Sequence, residues 1–168
     1  VLVMTGLLLA VGTVGFLVFD WGNPETMGPL SIPGKMGAAF FQSVTCRTAG
    51  FNTVDLQALT DQSKILSIIL MFIGAAPAGT GGGIKVTAIA VLVMTIYCVM
   101  RGNDDTIISG HTVDRKAVYK SLALLVLALC LVALSSFVMH FGTDQGTPVI
   151  DVVFEEVSAF ATVGLSAG

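Results

Sequence analysis

Charge is scarce in this chain. Only 11% of its 168 residues are Asp, Glu, Lys or Arg, against 54% hydrophobic residues and a mean hydropathy of +0.89. Soluble domains carry about a quarter charged residues, and a soluble core of this length could not hide so much apolar surface. An ordinary soluble domain is thereby excluded. Histidine is scarce too: His111 and His140 stand apart with no clustered partner, which argues against a metal site. Cys46, Cys98 and Cys130 form no C-x-x-C pair and lie in or near apolar stretches, so they read as small buried hydrophobes rather than redox or metal groups. A net charge of −3 and a pI of about 5.1 argue against nucleic acid as a partner. No nucleophile–base pair is apparent, so the chain does not read as an enzyme.

What is present is apolar sequence of membrane length, which takes about 20 residues per helical crossing. Residues 1–19 carry no charge and end at Asp20-Trp21, with the tryptophan where an interfacial anchor is expected. No basic n-region precedes them, so they read as a span and not as a signal peptide. Residues 121–141 form a second charge-free run, preceded by Arg115, Lys116 and Lys120. Between these, residues 65–100 are too long for one crossing, because a continuous helix rising about 1.5 Å per residue would far exceed a hydrocarbon core about 30 Å thick. The segment has to break or fold back.

The break is written as Gly74-Ala75-Ala76-Pro77-Ala78-Gly79-Thr80-Gly81-Gly82-Gly83-Ile84-Lys85. Proline removes a backbone donor, and consecutive glycines each weaken a helix by about 1 kcal/mol relative to alanine. Irregular backbone at membrane depth survives only where protein or a water-filled cavity satisfies it, so this stretch is expected in the interior, along a permeation route. Lys85 is then a functional candidate, since an ammonium at that depth needs a partner or water. The alternative is a simple kink from which Lys85 snorkels to the cytoplasmic surface. A nucleotide loop does not fit. Counted from Gly79, Ile84 stands where a Walker A motif needs its second glycine and Val86 where it needs Ser or Thr.

Two stretches 114 positions apart say nearly the same thing: Thr48-Ala49-Gly50-Phe51, separated from Phe40 by seven residues, and Thr162-Val163-Gly164-Leu165, separated from Phe154 by seven residues. Each follows a helix candidate of half membrane length, 34–46 and 148–160, about 20 Å if helical and too short to span. Thr147-Pro148 supplies a good start signal for the second. Long helix, short helix and glycine-bearing strand is the order a pore needs if it strips water from a cation and replaces it with backbone carbonyls. Glycine tolerates the backbone angles that turn successive carbonyls to one axis. Helix C-terminal ends aimed inward would stabilise a cation there and repel an anion.

Orientation follows from the basic residues. Arg101, Arg115, Lys116 and Lys120 place the 101–120 linker in the cytoplasm, and the short helices then enter from outside. The polar stretch between Gly102 and Asp114 is a plausible contact for a cytosolic regulator. The outer connections hold Asp20, Glu25, Asp55, Asp61, Asp144, Asp151, Glu155 and Glu156 against Lys35, Lys64 and Arg47, an acidic mouth that would concentrate cations.

Cys46-Arg47-Thr48-Ala49-Gly50-Phe51-Asn52-Thr53, the Gly79 to Lys85 loop and Phe160-Ala161-Thr162-Val163-Gly164-Leu165-Ser166 together resemble the last two repeats of the Ktr/Trk/HKT superfamily of potassium transporters, closest to its bacterial KtrB-type branch. The resemblance covers nearly the whole chain. It implies an all-α integral membrane protein of helix–pore loop–helix units, as in potassium channels, with a broken glycine-rich transmembrane helix. Residues 1–100 would be the third repeat (spans 1–19 and 65–100, pore helix 34–46, filter 47–53), 101–120 a cytoplasmic linker, and 121–168 an incomplete fourth repeat (span 121–141, pore helix 148–160, filter 161–166). Two repeats and a final helix would then lie outside this sequence, and two strands alone should not conduct.

By the same resemblance, Gly50 and Gly164 are filter glycines, with Thr48, Ala49, Thr162 and Val163 supplying neighbouring carbonyls to a potassium ion. Gly79, Thr80, Gly81, Gly82, Gly83 and Lys85 match an intramembrane gate. The partners implied are membrane lipid, the remaining repeats, a second copy in a homodimer, and a cytosolic nucleotide-binding ring, in a multi-pass protein of the cell membrane. Arg47 beside a cation filter would repel the ion unless neutralised. Glu155 and Glu156, at the positions matching Phe41 and Gln42, are the expected partners, with an outward-facing arginine as the alternative. Two other readings stay open: a sodium-conducting member of the superfamily, and a coupled secondary transporter that binds its substrate at the broken helix. The latter leaves the repeated Thr-x-Gly without a purpose, and a non-transporting scaffold explains neither feature.

Overall fold

A computed structural model describes residues 1–76, 79, 81–102, 105–108, 111–142 and 147–167. Pro77, Ala78 and Thr80 of the glycine-rich stretch, and Asp144 of the outer connections, lie outside the described residues. Six helices make up the described fold: α1 (Leu2–Asp20), α2 (Ile32–Thr45), α3 (Asp61–Phe72), α4 (Val86–Met100), α5 (Arg115–Gly142) and α6 (Val149–Phe160). The helical class expected from the sequence holds. Its departure is a small hairpin in the 101–120 linker, where β1 (Ile107–Ile108) pairs antiparallel with β2 (His111–Thr112).

Two helices, α1 and α5, are long and apolar enough to cross a membrane. Both keep large apolar side chains on the outside, among them Leu2, Val14 and Val18 of α1 and Leu127, Leu134 and Phe137 of α5. Water would penalise such faces, whereas lipid or further apolar helices would not. The start of α5 lies at Arg115, six residues before the charge-free run, so part of the expected linker is helix. The Asp114 carboxylate accepts the Lys116 N–H there, and charges at a helix end cost little when they reach water.

The long segment 65–100 breaks where its glycines are. Helix α3 is 12 residues long and α4 is 15, about 18 and 22 Å, so each crosses only part of a bilayer. Between them the chain leaves and returns beside itself. Ile73 and Ile84 form a parallel bridge, the Ile84 N–H donates to the Phe72 carbonyl at 3.1 Å, and the Val86 N–H to Ala75 at 3.4 Å. The intervening loop is therefore clamped at its base.

The core lies between α1, α2, α3 and α6. Phe16, Leu70, Met71, Phe154 and Val157 fill it, and α1 comes close enough that a side chain at Gly12 would strike Ser43 and Leu70. At one end of this core Asp20, fully buried, accepts from the Ser63 hydroxyl, the Thr60 N–H and the Asn23 amide, tying the end of α1 to the first turn of α3. A buried carboxylate survives only with such donors, and each bond to a charged group is worth about 1.5–3 kcal/mol. Asp20→Ala is expected to destabilise the protein by about 3 kcal/mol, with Asp20→Asn milder, measured as unfolding of the purified protein in detergent. An unchanged transition in Asp20→Ala would show that the network contributes nothing.

Candidate functional site

The two Thr-x-Gly stretches adopt the same backbone form. At the C-terminal end of α2, Thr48 has φ +72° and Gly50 φ +71°; at the end of α6, Thr162 has φ +56° and Gly164 φ +81°. A β-branched residue at positive φ is a genuine outlier and costs about 1–3 kcal/mol, so something must hold both threonines there. Each segment is hydrogen-bonded back to its own helix. The Thr45 hydroxyl donates to the Phe51 carbonyl at 2.7 Å and accepts the Phe51 N–H at 2.9 Å. On α6 the Ser158 hydroxyl donates to the Leu165 carbonyl at 2.6 Å and the Ser158 carbonyl accepts the Val163 N–H at 2.9 Å. Glu155 completes the second segment, its Oε1 accepting from the Ser166 hydroxyl at 2.7 Å and the Ala167 N–H at 2.8 Å.

Beyond α6 the chain is extended and alternates: Val163, Leu165 and Ala167 are buried, while Thr162, Gly164 and Ser166 are exposed. Period-two alternation gives one face to the core and leaves the other open. The two segments touch, since a Cβ built on Gly50 would overlap the Val163 carbonyl oxygen.

The glycine-rich loop meets both. A Cβ at Gly81 would come within 2.7 Å of the Thr48 methyl group, and one at Gly82 within 2.7 Å of the Phe160 carbonyl and 2.9 Å of the Ala161 carbonyl carbon. Only glycine permits so close an approach. The Gly82 N–H donates to the Thr162 hydroxyl at 2.8 Å, and Phe72, just before the loop, stacks on Phe160 with ring centroids 5.9 Å apart. Lys85 closes the loop on itself. Its Nζ donates to the Gly81 carbonyl at 2.6 Å and the Gly79 carbonyl at 3.1 Å, and so does not reach away along α4 to a surface.

Arg47 is placed differently from the pairing expected for it. Its Nε and Nη2 are buried and find no partner among the described residues, while Glu155 is occupied by Ser166 and Ala167. Gln42, fully buried one helical turn before it, is likewise without a partner at either amide atom. The acidic mouth is smaller than the sequence suggests: Asp20 is internal and Asp151 pairs with Lys64 at 2.7 Å. Outside the loop, an apolar cavity of about 410 Å³ lies beside Gly83, Lys85, Ala88, Leu124, Leu127 and Phe160, with few groups to bind a polar substrate.

Sequence reasoning missed Thr45 and Ser158. They perform the same task but lie one position apart in the 114-residue offset, so aligning the two stretches does not reveal them. It also missed Lys64 and Asp151, which had no visible reason to be anything but surface charges.

Apolar helices, two of them long enough to cross a bilayer and carrying large apolar side chains on their outer faces, define a helical membrane protein. The chain belongs to the TrkH cation transport protein family, whose model matches residues 1–168. It is 44% identical over 167 residues to Ktr system potassium uptake protein B of Vibrio alginolyticus, covering 99% of this chain and 36% of that protein. It is 37% identical to the protein of the same name from Bacillus subtilis (99% of this chain, 38% of that one) and 32% identical to potassium/sodium uptake protein NtpJ of Enterococcus hirae (98% and 37%). The chain thus spans just over a third of the length of these relatives.

Proposed function

We propose that these residues supply two of the four filter strands of a transporter that moves potassium across the cell membrane. The observation that carries this is the contact of Gly50 with the Val163 carbonyl, between two segments of the same unusual backbone form. Left-handed residues at 48 and 50, and at 162 and 164, alternate with ordinary ones. That alternation offsets the reversal of carbonyl direction along an extended strand, so that Thr48, Ala49, Gly50, Thr162, Val163 and Gly164 can offer oxygens to one dehydrated cation. The relatives named for potassium uptake support the choice of ion.

In this reading residues 1–100 are one helix–pore loop–helix repeat, 101–120 a cytoplasmic linker and 121–168 part of the next, with α2 and α6 entering from outside. Glycines 79 and 81–83 with Lys85 form the gate; Thr80, which the sequence adds to it, is not described. Flow is passive and electrically driven. The relatives' names place them in a Ktr system, which supports further components; a second copy and a cytosolic nucleotide-binding ring are the ones proposed. The Arg47 Nε and Nη2 and the Gln42 amide, buried and without partners among the described residues, would find them in the remaining repeats. Sodium passage is the second reading, favoured by the resemblance to a potassium/sodium uptake protein.

The test is uptake of rubidium, sodium and chloride by cells carrying the full-length transporter. Rubidium uptake exceeding sodium, with no chloride uptake, is expected. Equal sodium and rubidium uptake would favour the second reading, and absence of any cation uptake would end both.

A further inference from the structure

Two carboxylates from different parts of the chain bind neighbouring residues in the first turn of α3. Asp20 holds Ser63 and the Thr60 N–H, locking the turn to α1. One residue on, the Lys64 Nζ donates to Asp151 Oδ1 at 2.7 Å in the first turn of α6. Lysine is a poor choice for that place by itself. It lies at the positive end of the α3 dipole and is 6% exposed, so its charge is opposed both by the helix and by lost hydration. Asp151 offsets both costs, and a carboxylate is favoured where it sits, at the N-terminus of α6.

What the pair holds is the whole of α6 with the segment that follows. Ser158 and Glu155 bond residues 163, 165, 166 and 167 back to their own helix, so α6 and the Gly164 segment shift as one body. That body is joined to the α1–α4 part of the chain by hydrogen bonds at both ends of α6: Lys64–Asp151 at its start, and the Gly82 N–H on Thr162 just past its end. The loop contact belongs to a segment proposed to move. The ion pair belongs to two helices packed side by side.

We propose that Lys64 and Asp151 are a positioning pair that sets the register of α6 against α3 and so holds the Val163 carbonyl against Gly50, making cation selectivity depend on two residues that never touch the ion. This rests on the filter reading above.

The experiment uses the full-length transporter, with rubidium and sodium uptake each normalised to the amount of protein in the membrane. Lys64→Met and Asp151→Asn are each expected to lower the rubidium-to-sodium ratio about fivefold, and the double variant to lower it no further than either alone, because all three remove the same interaction. Asp151→Glu keeps the charge, folds more readily and displaces α6 by a methylene, so it should lower the ratio as well, by about twofold. A purely structural role would change only the amount of protein. Wild-type ratios in Lys64→Met and Asp151→Glu, or additive effects in the double variant, would overturn the proposal. Gly50→Ser is measured in parallel: if it lowers the ratio while the pair variants do not, the positioning role alone falls, and if none of them does, the filter reading falls with it.

Discussion

Gly50→Ser in the full-length transporter is expected to cut its preference for rubidium over sodium by about tenfold, equivalent to about 1.4 kcal/mol. Two separate penalties produce this. Gly50 has φ +71°, where a side chain adds about 1 kcal/mol of backbone strain. Its Cβ would also overlap the Val163 carbonyl oxygen, and no rotamer relieves a clash between a Cβ and backbone. The two segments must then part, which moves carbonyls proposed to coordinate the ion. Sodium, the smaller ion, depends on that spacing differently from rubidium, so the ratio of uptakes reports the change. Gly164→Ser acts within this chain through φ +81° alone, since a Cβ there meets no atom within 4 Å, and its effect should be smaller. An unaltered ratio in Gly50→Ser would remove the filter assignment.

Shortening the loop between Gly79 and Gly83 is expected to raise flux in the resting state by one to two orders of magnitude. The loop is tied to the second segment by the Gly82 N–H on Thr162, and Lys85 on the Gly79 and Gly81 carbonyls fixes the folded shape in which the loop lies there. At about 1 kcal/mol net each, these three bonds hold the closed form by about 3 kcal/mol, or roughly a hundredfold in population. The base of the loop does not depend on its tip. The Ile73–Ile84 bridge and the Ile84 N–H on Phe72 should keep α3 and α4 in place when the tip is cut back. Rubidium uptake without the regulatory stimulus measures the effect. Flux at the wild-type level would rule the loop out as the gate.

Much of the helical layout was legible from residues close together in the chain. The break in 65–100 follows from Pro77 and the glycine run, because backbone chemistry at those residues forbids a continuous helix whatever surrounds it. Helices α2 and α6 start and stop within two residues of the 34–46 and 148–160 segments expected, since capping residues and apolar periodicity are local signals. The beginning of α5 was not legible in the same way. A span read by hydropathy stops at Lys120, whereas a helix needs only its hydrogen bonds and continues back to Arg115.

Charges were the hardest residues to place. Asp20, Lys64 and Asp151 look like an outer surface when counted along the sequence, and are instead buried or paired inside the fold. Their partners are 43 and 87 residues away, and spacing over that distance carries no signal. Arg47 shows the opposite case: Glu155, one of the two glutamates expected to pair with it, is engaged with the segment following α6, a contact that exists only once the chain turns back at Ser158.

Composition and local pattern therefore determined by themselves that this is a membrane protein, where its helices lie, where one of them breaks, and that Thr-x-Gly occurs twice in one context. Such properties depend on solvation and backbone preference, which act on neighbouring residues. Which segments meet was decided by tertiary packing alone: Gly50 against Val163, the loop against Thr48 and Thr162, and Lys64 across to Asp151. Those contacts depend on the relative placement of whole helices, and that placement is the joint result of every packed face in the core rather than of any short stretch of chain.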